Sequence, residues 1–360
     1  MEENKYSEVP SEAEENSYLE VLPEPTGDYS EVPSGNAGDA AGTDTPVVPA
    51  VEEKKVYGPE DVGLVLAGGG GKGAYQIGAL RALDEAGLLK PVAAVAGTSI
   101  GAINAVLYME QDYEKAYKTW DDINMGVLFD FDPAMLAQGK LYFSRDEMNR
   151  LMEQYVDYPK ISGSDKEIYC GVAEELPGGG YRPEYMKLNG KSVGEIRNIL
   201  MASTAMPIVY DTVTIGGKKY RDGGVVDNEP VRPLYDAGIR KFIVIGLTVG
   251  RVFNKAAYPD AEFTVIDPTH DLGDIFSGTL NFYEDDKNIK RTLGYKDGKR
   301  AIKTHFEKDP NYIALAPALA AKDYEETVRE YERQKRVSAL EQSVNSSFDY
   351  INELEKKYQW

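Results

Sequence analysis

The chain has 360 residues, 42% of them hydrophobic, and a formal net charge of −20. That length builds one large domain or two smaller ones, and such acidity argues against nucleic acid as a partner, because phosphate contacts require clustered Lys and Arg. No stretch nears the roughly 20 apolar residues of a membrane-spanning helix, the start Met1–Tyr6 lacks the basic and apolar regions of a secretory signal, and the lone Cys170 has no partner for a disulfide, so a cytoplasmic protein is expected.

The acidity is concentrated at the N-terminus. Residues 1–58 hold 14 Asp and Glu against three Lys, a net of −11, which leaves −9 for the remainder. This segment has too few large apolar side chains to offset its ordering entropy and reads as a disordered leader. Three Tyr-x-Glu-Val units start at Tyr6, Tyr18 and Tyr29. They read either as a linear motif for a phosphotyrosine-binding partner or as a duplicated low-complexity tail.

Order begins at Val62–Ala67, a continuous apolar run suited to a strand buried on both faces. The glycines Gly68 to Gly73 follow, then a helical pattern over Ala74–Glu85 that Gly87 stops. The unit then repeats, with a strand at Val92–Ala96, a turn at Gly97–Gly101 and a helix from Ala102. Later strands are expected at Ile168–Ala173, Val213–Ile215, Lys241–Thr248 and Glu262–Ile266, with a helix near Ser192–Ala202. Alternating strand, glycine turn and helix predict an α/β fold with a mainly parallel central sheet flanked by helices. Domain limits follow at 59–320, with a helical tail over 321–360. In that tail Val337, Leu340, Val344, Phe348, Ile351 and Leu354 form one apolar stripe, expected to pack on the domain's own surface.

Three segments carry chemistry. Gly97-Thr98-Ser99-Ile100-Gly101 is a G-x-S-x-G between strand and helix, where a serine nucleophile can be held out on a sharp turn. The competing reading is an ordinary tight turn. Gly68-Gly69-Gly70-Gly71-Lys72-Gly73 fails as a P-loop, because Leu66 stands at the first glycine and Gly73 where Ser or Thr belongs. It is weak as a dinucleotide site, since the second strand ends without an acid. Backbone N–H groups at a helix start remain, suited to an oxyanion. Asp222-Gly223-Gly224 alone reads as a surface turn. The two histidines, His270 and His305, sit in no catalytic context, so a carboxylate acting directly on Ser99 is the economical choice.

Together these segments resemble the patatin-like phospholipases, as do Ala202–Pro207 and the run from Asp222 to Pro230. The resemblance covers about Asp61 to Thr248 and fades beyond. It implies Ser99 as nucleophile, Asp222 as proton acceptor, the amides around Gly70 and Gly71 as oxyanion hole, and Gly68, Gly73, Gly97, Gly101, Gly223 and Gly224 as motif glycines. Lys72 stands where the family often has arginine, keeping the charge but losing the planar fork. The implied activity is cleavage of lipid acyl esters through a Ser–Asp dyad and an acyl-enzyme, without metal or organic cofactor. Transient contact with a membrane surface goes with such substrates. The rival reading is a scaffold acting through its leader tyrosines.

Overall fold

The computed structural model describes residues 55–110, 112–123, 145–207 and 209–358. Tyr6, Tyr18 and Tyr29 lie outside the described residues.

Eight strands form one sheet: β1 Val62–Leu66, β2 Val92–Thr98, β3 Glu167–Glu175, β4 Tyr181–Lys187, β5 Val213–Ile215, β6 Lys218–Asp222, β7 Lys241–Ile245 and β8 Glu262–Ile266. Their order is β5-β6-β3-β2-β1-β7-β8, with β4 also on β3. The run β3-β2-β1-β7-β8 is parallel, whereas β4, β5 and β6 pair antiparallel. Both faces of the parallel strands are buried, and alternate residues serve opposite layers. Leu64, Leu66, Ile243 and Ile245 enter a large core with helices α1 (Ala74–Glu85), α2 (Ile100–Met109) and α3 (Tyr113–Asp122). Val65, Ala94, Ala96, Phe242 and Val244 face a smaller one closed by Val231, Leu234 and Ile239. Continuous apolar runs in β1 and β7 are therefore what the fold demands.

Around this centre lie α4 (Asp146–Tyr155), α5 (Tyr158–Ser162), α6 (Val193–Ser203), α7 (Arg232–Ala237), α8 (Glu284–Ala301) and α9 (Pro310–Tyr358). Ser192 caps α6 in a full capping box with Glu195. Helix α8 crosses α1 at glycines: a Cβ on Gly78 would lie 2.0 Å from the Arg291 carbonyl oxygen, and one on Gly294 1.9 Å from that of Tyr75. Lys287 of α8 is fully buried and donates to the carbonyls of Trp120, Asp121 and Ile123, satisfying the orphan acceptors at the end of α3.

Two differences from the sequence reading stand out. Contacts to the domain begin before residue 59, because Tyr57 donates to Glu167 Oε2 (2.7 Å) at the start of β3 and Lys55 to the Asp165 carbonyl (2.5 Å) just ahead of it. The C-terminal stripe also does not pack on the domain where its side chains are described. Helix α9 packs its early turns against α8, burying Ala320 and Thr327, but Val337, Leu340 and Val344 are 44%, 66% and 45% exposed. Among the described residues no helix is long and apolar enough to cross a membrane.

Candidate active site

The register of β3 brings the two distant segments together. Along one edge of β3, Gly171 pairs with Thr98, the last residue of β2, and the next residue, Val172, pairs with Asp222, the last of β6. Strand β4 occupies the opposite edge over the same residues. Strands β2 and β6 thus meet end to end, and Ser99 emerges beside Asp222.

Ser99 caps α2 with φ 55 and ψ −125, a conformation that L-residues adopt only at a cost of about 1–3 kcal/mol. The turn is tight enough that a Cβ on Gly97 would lie 2.3 Å from the Gly101 carbonyl oxygen, and one on Gly101 2.1 Å from that of Leu66. Those two close approaches explain why G-x-S-x-G reads as it does. Ser203, at the end of α6, fixes the elbow: it accepts from the Ser99 N–H (2.8 Å) and donates to the Gly171 carbonyl (2.7 Å).

Ser99 Oγ donates to Asp222 Oδ2 at 2.6 Å. The other carboxylate oxygen accepts from the Gly224 N–H (2.8 Å), and the Asp222 N–H donates to the Ala205 carbonyl (3.0 Å). Asp222 is 6% exposed, and burial pushes its carboxyl up to about 6. The Ser99 and Gly224 hydrogen bonds and the positive charge of Arg145 pull it back down. Arg145 lies over the Tyr210 ring (4.4 Å) and donates to the Met201 carbonyl; its own burial lowers its guanidinium to about 10.

The third segment joins through Asn228. Its side chain donates to the Gly68 carbonyl (3.1 Å), and the Gly68 N–H donates to the Asn228 carbonyl (3.2 Å). The run from Asp222 to Pro230 is thereby tied to the glycine turn. Gly223 sits against the Gly171 carbonyl, Gly73 against Ile100, and Gly224 beside Asn228. Gly70 has φ 54 and lines the cavity; Gly71 is buried behind it, with no room for a Cβ beside the Asn281 carbonyl.

These groups open on a cavity of about 440 Å³. Gly68, Gly69, Gly70, Ser99 and Asp222 line it, as do Lys72 and Asn228. Met148, Met206, Val209, Leu247, Leu280 and Phe282 supply its apolar walls. Met148, Leu280 and Phe282 are not foreseen from the sequence. The one local signal for the 272–283 segment is Asp274, whose side chain accepts from the Ser277 N–H (2.7 Å) in a cap-like turn.

The histidines are elsewhere. His270 stacks on Tyr324 at 4.3 Å, and His305 borders a groove with Val62, Lys241 and Glu262, the first residues of β1, β7 and β8, opposite the strand ends that carry Ser99. Burial holds the Cys170 thiol up at about 12, protonated and unreactive. Among the described residues no three His, Cys, Asp or Glu side chains converge as metal ligands would.

Sheet order, serine elbow and glycine turn define a class: a layered α/β domain with a serine displayed at a strand–helix turn. Residues 64–235, just under half of the chain, match the family model described as Patatin-like phospholipase. Lysophospholipase nte1 of Aspergillus terreus is 30% identical over 196 residues, which are 53% of this chain and 12% of that protein. The chain thus spans about an eighth of the length of such curated relatives. Among solved structures, human GIVD cytosolic phospholipase A2 aligns with 73% of this chain and 60% of its own, at 10% identity and a TM-score of 0.41. VipD from Legionella pneumophila aligns with 69% and 67%, at 15% identity and a TM-score of 0.37.

Proposed function

We propose that this chain hydrolyses the acyl esters of lipids, with Ser99 as nucleophile and Asp222 as its base. The observation that carries the reading is the 2.6 Å hydrogen bond from Ser99 Oγ to a carboxylate raised by burial to about 6, at the floor of an apolar cavity. Ser99 Oγ attacks the ester carbonyl and its proton passes to Asp222 Oδ2. The developing oxyanion points to the amides of the glycine turn around Gly70 and Gly71, at the start of α1 and next to Lys72. Collapse expels the alcohol, which takes the proton from Asp222 and leaves an acyl-Ser99 ester. Asp222 then accepts a proton from water, which attacks that ester and releases the fatty acid. A carboxylate serves as base here because it is ionised at neutral pH yet sits close enough to that range to hold a proton in passing.

The relatives named as lysophospholipases support a single-chain glycerophospholipid as substrate. Contact with a lipid surface is supported by apolar residues near the cavity: Val225 lines it and is 41% exposed, and Val249 and Ile275, close in sequence to the lining Thr248 and Thr279, are 42% and 55% exposed. The test is fatty-acid release from lysophosphatidylcholine, diacyl phosphatidylcholine, monoacylglycerol and triacylglycerol, with Ser99→Ala as control. Release that is fastest from the lysolipid and absent in the variant is expected. Equal release by wild type and variant would overturn the assignment of Ser99.

A further inference from the structure

We propose that two copies of this chain associate through a parallel coiled coil formed by the last three turns-pairs of α9, from Val337 to Tyr358. The helix is already built where the seam begins. Its early turns are anchored on α8, and Lys335 still reaches Asp285 of that helix at 3.0 Å. The nucleation cost that makes short isolated helices marginal is therefore met by the domain.

Past that anchor three apolar side chains have no cover among the described residues: Val337, Leu340 and Val344 are 44%, 66% and 45% exposed. They are spaced three and four apart, the alternation of a coiled-coil seam, and not the broader stripe of a helix lying on its own domain. The sequence carries the a and d spacing onward through Ile351, Leu354 and Tyr358, with the polar Ser347 at the intervening d site and Phe348 beside it at e. With Val337 at position a, the a sites read Val337, Val344, Ile351 and Tyr358, and the d sites Leu340, Ser347 and Leu354. β-Branched residues at a with Leu at d favour two parallel strands.

Charge points to a second copy of the same chain. Residues 332–358 carry five acidic and five basic side chains, so this stretch is neutral in a protein of net charge −20. Two such helices approach without repulsion. Arg336 at g and Glu341 at e are both exposed and fall opposite each other in a parallel, in-register pair. A lipid surface would be better served by a basic polar face, which this helix lacks.

Sedimentation equilibrium of the full chain should show a dimer at micromolar concentration. Leu340→Glu with Val344→Glu should weaken association at least 100-fold and leave both the melting of the domain and its hydrolysis of a soluble ester unchanged. Arg336→Glu should weaken it about tenfold, and adding Glu341→Arg should restore it. Leu340→Cys should cross-link to a covalent dimer on oxidation, since d residues face each other in parallel register and Cys170 is buried. A wild type that stays monomeric, or a dimer that survives the double Glu variant, overturns the proposal. So does a non-covalent dimer in which Leu340→Cys fails to cross-link. Monomer that instead binds phosphatidylcholine vesicles, and loses them in the double Glu variant, would assign the stripe to a lipid surface.

Discussion

The first two strand–helix turns of the sheet have the same architecture and opposite uses. In the turn after β1, Gly70 takes φ 54 with no side chain, so the backbone itself faces the cavity. In the turn after β2, Ser99 takes almost the same φ of 55, and there a hydroxyl faces the cavity. Glycine adopts that region freely; serine does so only because the Ser203 hydrogen bond, the Gly97–Gly101 approach and the pairing of Thr98 with Gly171 hold it. In the proposed reaction one turn offers donors and the other the nucleophile. The strain is confined to the turn where a side chain is needed.

Changes that exchange these roles give graded outcomes. The largest effect falls on Ser99: Ser99→Ala and Ser99→Gly should each lower turnover by about four to six orders of magnitude. They should differ in stability, with Ser99→Gly melting higher than Ser99→Ala because glycine relieves the φ 55 strain; calorimetry of the pair measures this directly. Equal melting would mean that the elbow stores no strain.

Asp222→Asn comes next, with turnover down by about four orders of magnitude. Stability should move the other way, and the sign follows from the raised carboxyl. Folding lifts Asp222 from 3.8 to about 6, so the folded wild type binds more protons in that window and loses stability as pH rises through it. The variant lacks this loss. Its melting temperature relative to wild type should therefore increase between about pH 4 and pH 7. A constant difference across that range would show that Asp222 is not raised.

Gly70→Ala tests the other turn. The new Cβ would lie 2.1 Å from the Thr279 carbonyl oxygen at a positive φ, so the turn must shift. Turnover should fall about 100- to 1000-fold, the usual effect of losing an oxyanion donor, with KM for a short soluble ester little changed. The smallest effect belongs to Ser203→Ala. It removes the bridge between the Ser99 N–H and the Gly171 carbonyl without touching the reacting atoms, and steady-state kinetics should show a loss of about 10- to 100-fold in kcat.

The two turns were also the legible part of the chain. Long apolar runs in β1 and β2, punctuated by glycine, fix strand, turn and helix with little ambiguity, and the sequence singles out Ser99, Gly70 and Asp222, which the fold brings to one cavity. Strand β6 is harder to read. Lys218-Lys219-Tyr220-Arg221-Asp222 carries no apolar run to announce it, and it is a strand because β3 offers it an edge where β2 ends. Helix α8 was equally hidden. Its interface with α1 is made of glycines and of Lys and Arg stems, so no apolar stripe announces it. The cavity wall at Leu280 and Phe282 follows from where α8 sits, which depends on Gly78 meeting the Arg291 backbone and Gly294 that of Tyr75. In the C-terminal stripe the periodicity was right and its expected cover was not, because spacing shows that a face is apolar but not what it meets.

The most direct measurement is the rate at which a fluorophosphonate labels the chain as a function of pH, with the modified residue located by peptide mass spectrometry. A Ser99–Asp222 dyad predicts a single adduct on Ser99 whose formation rises with pH, half-maximal near about 6, and levels off above. The same curve is expected in His270→Ala and His305→Ala, and near-complete loss of labelling in Asp222→Asn. Full labelling of Asp222→Asn, or a curve that disappears in either histidine variant while the fold is intact, would contradict it.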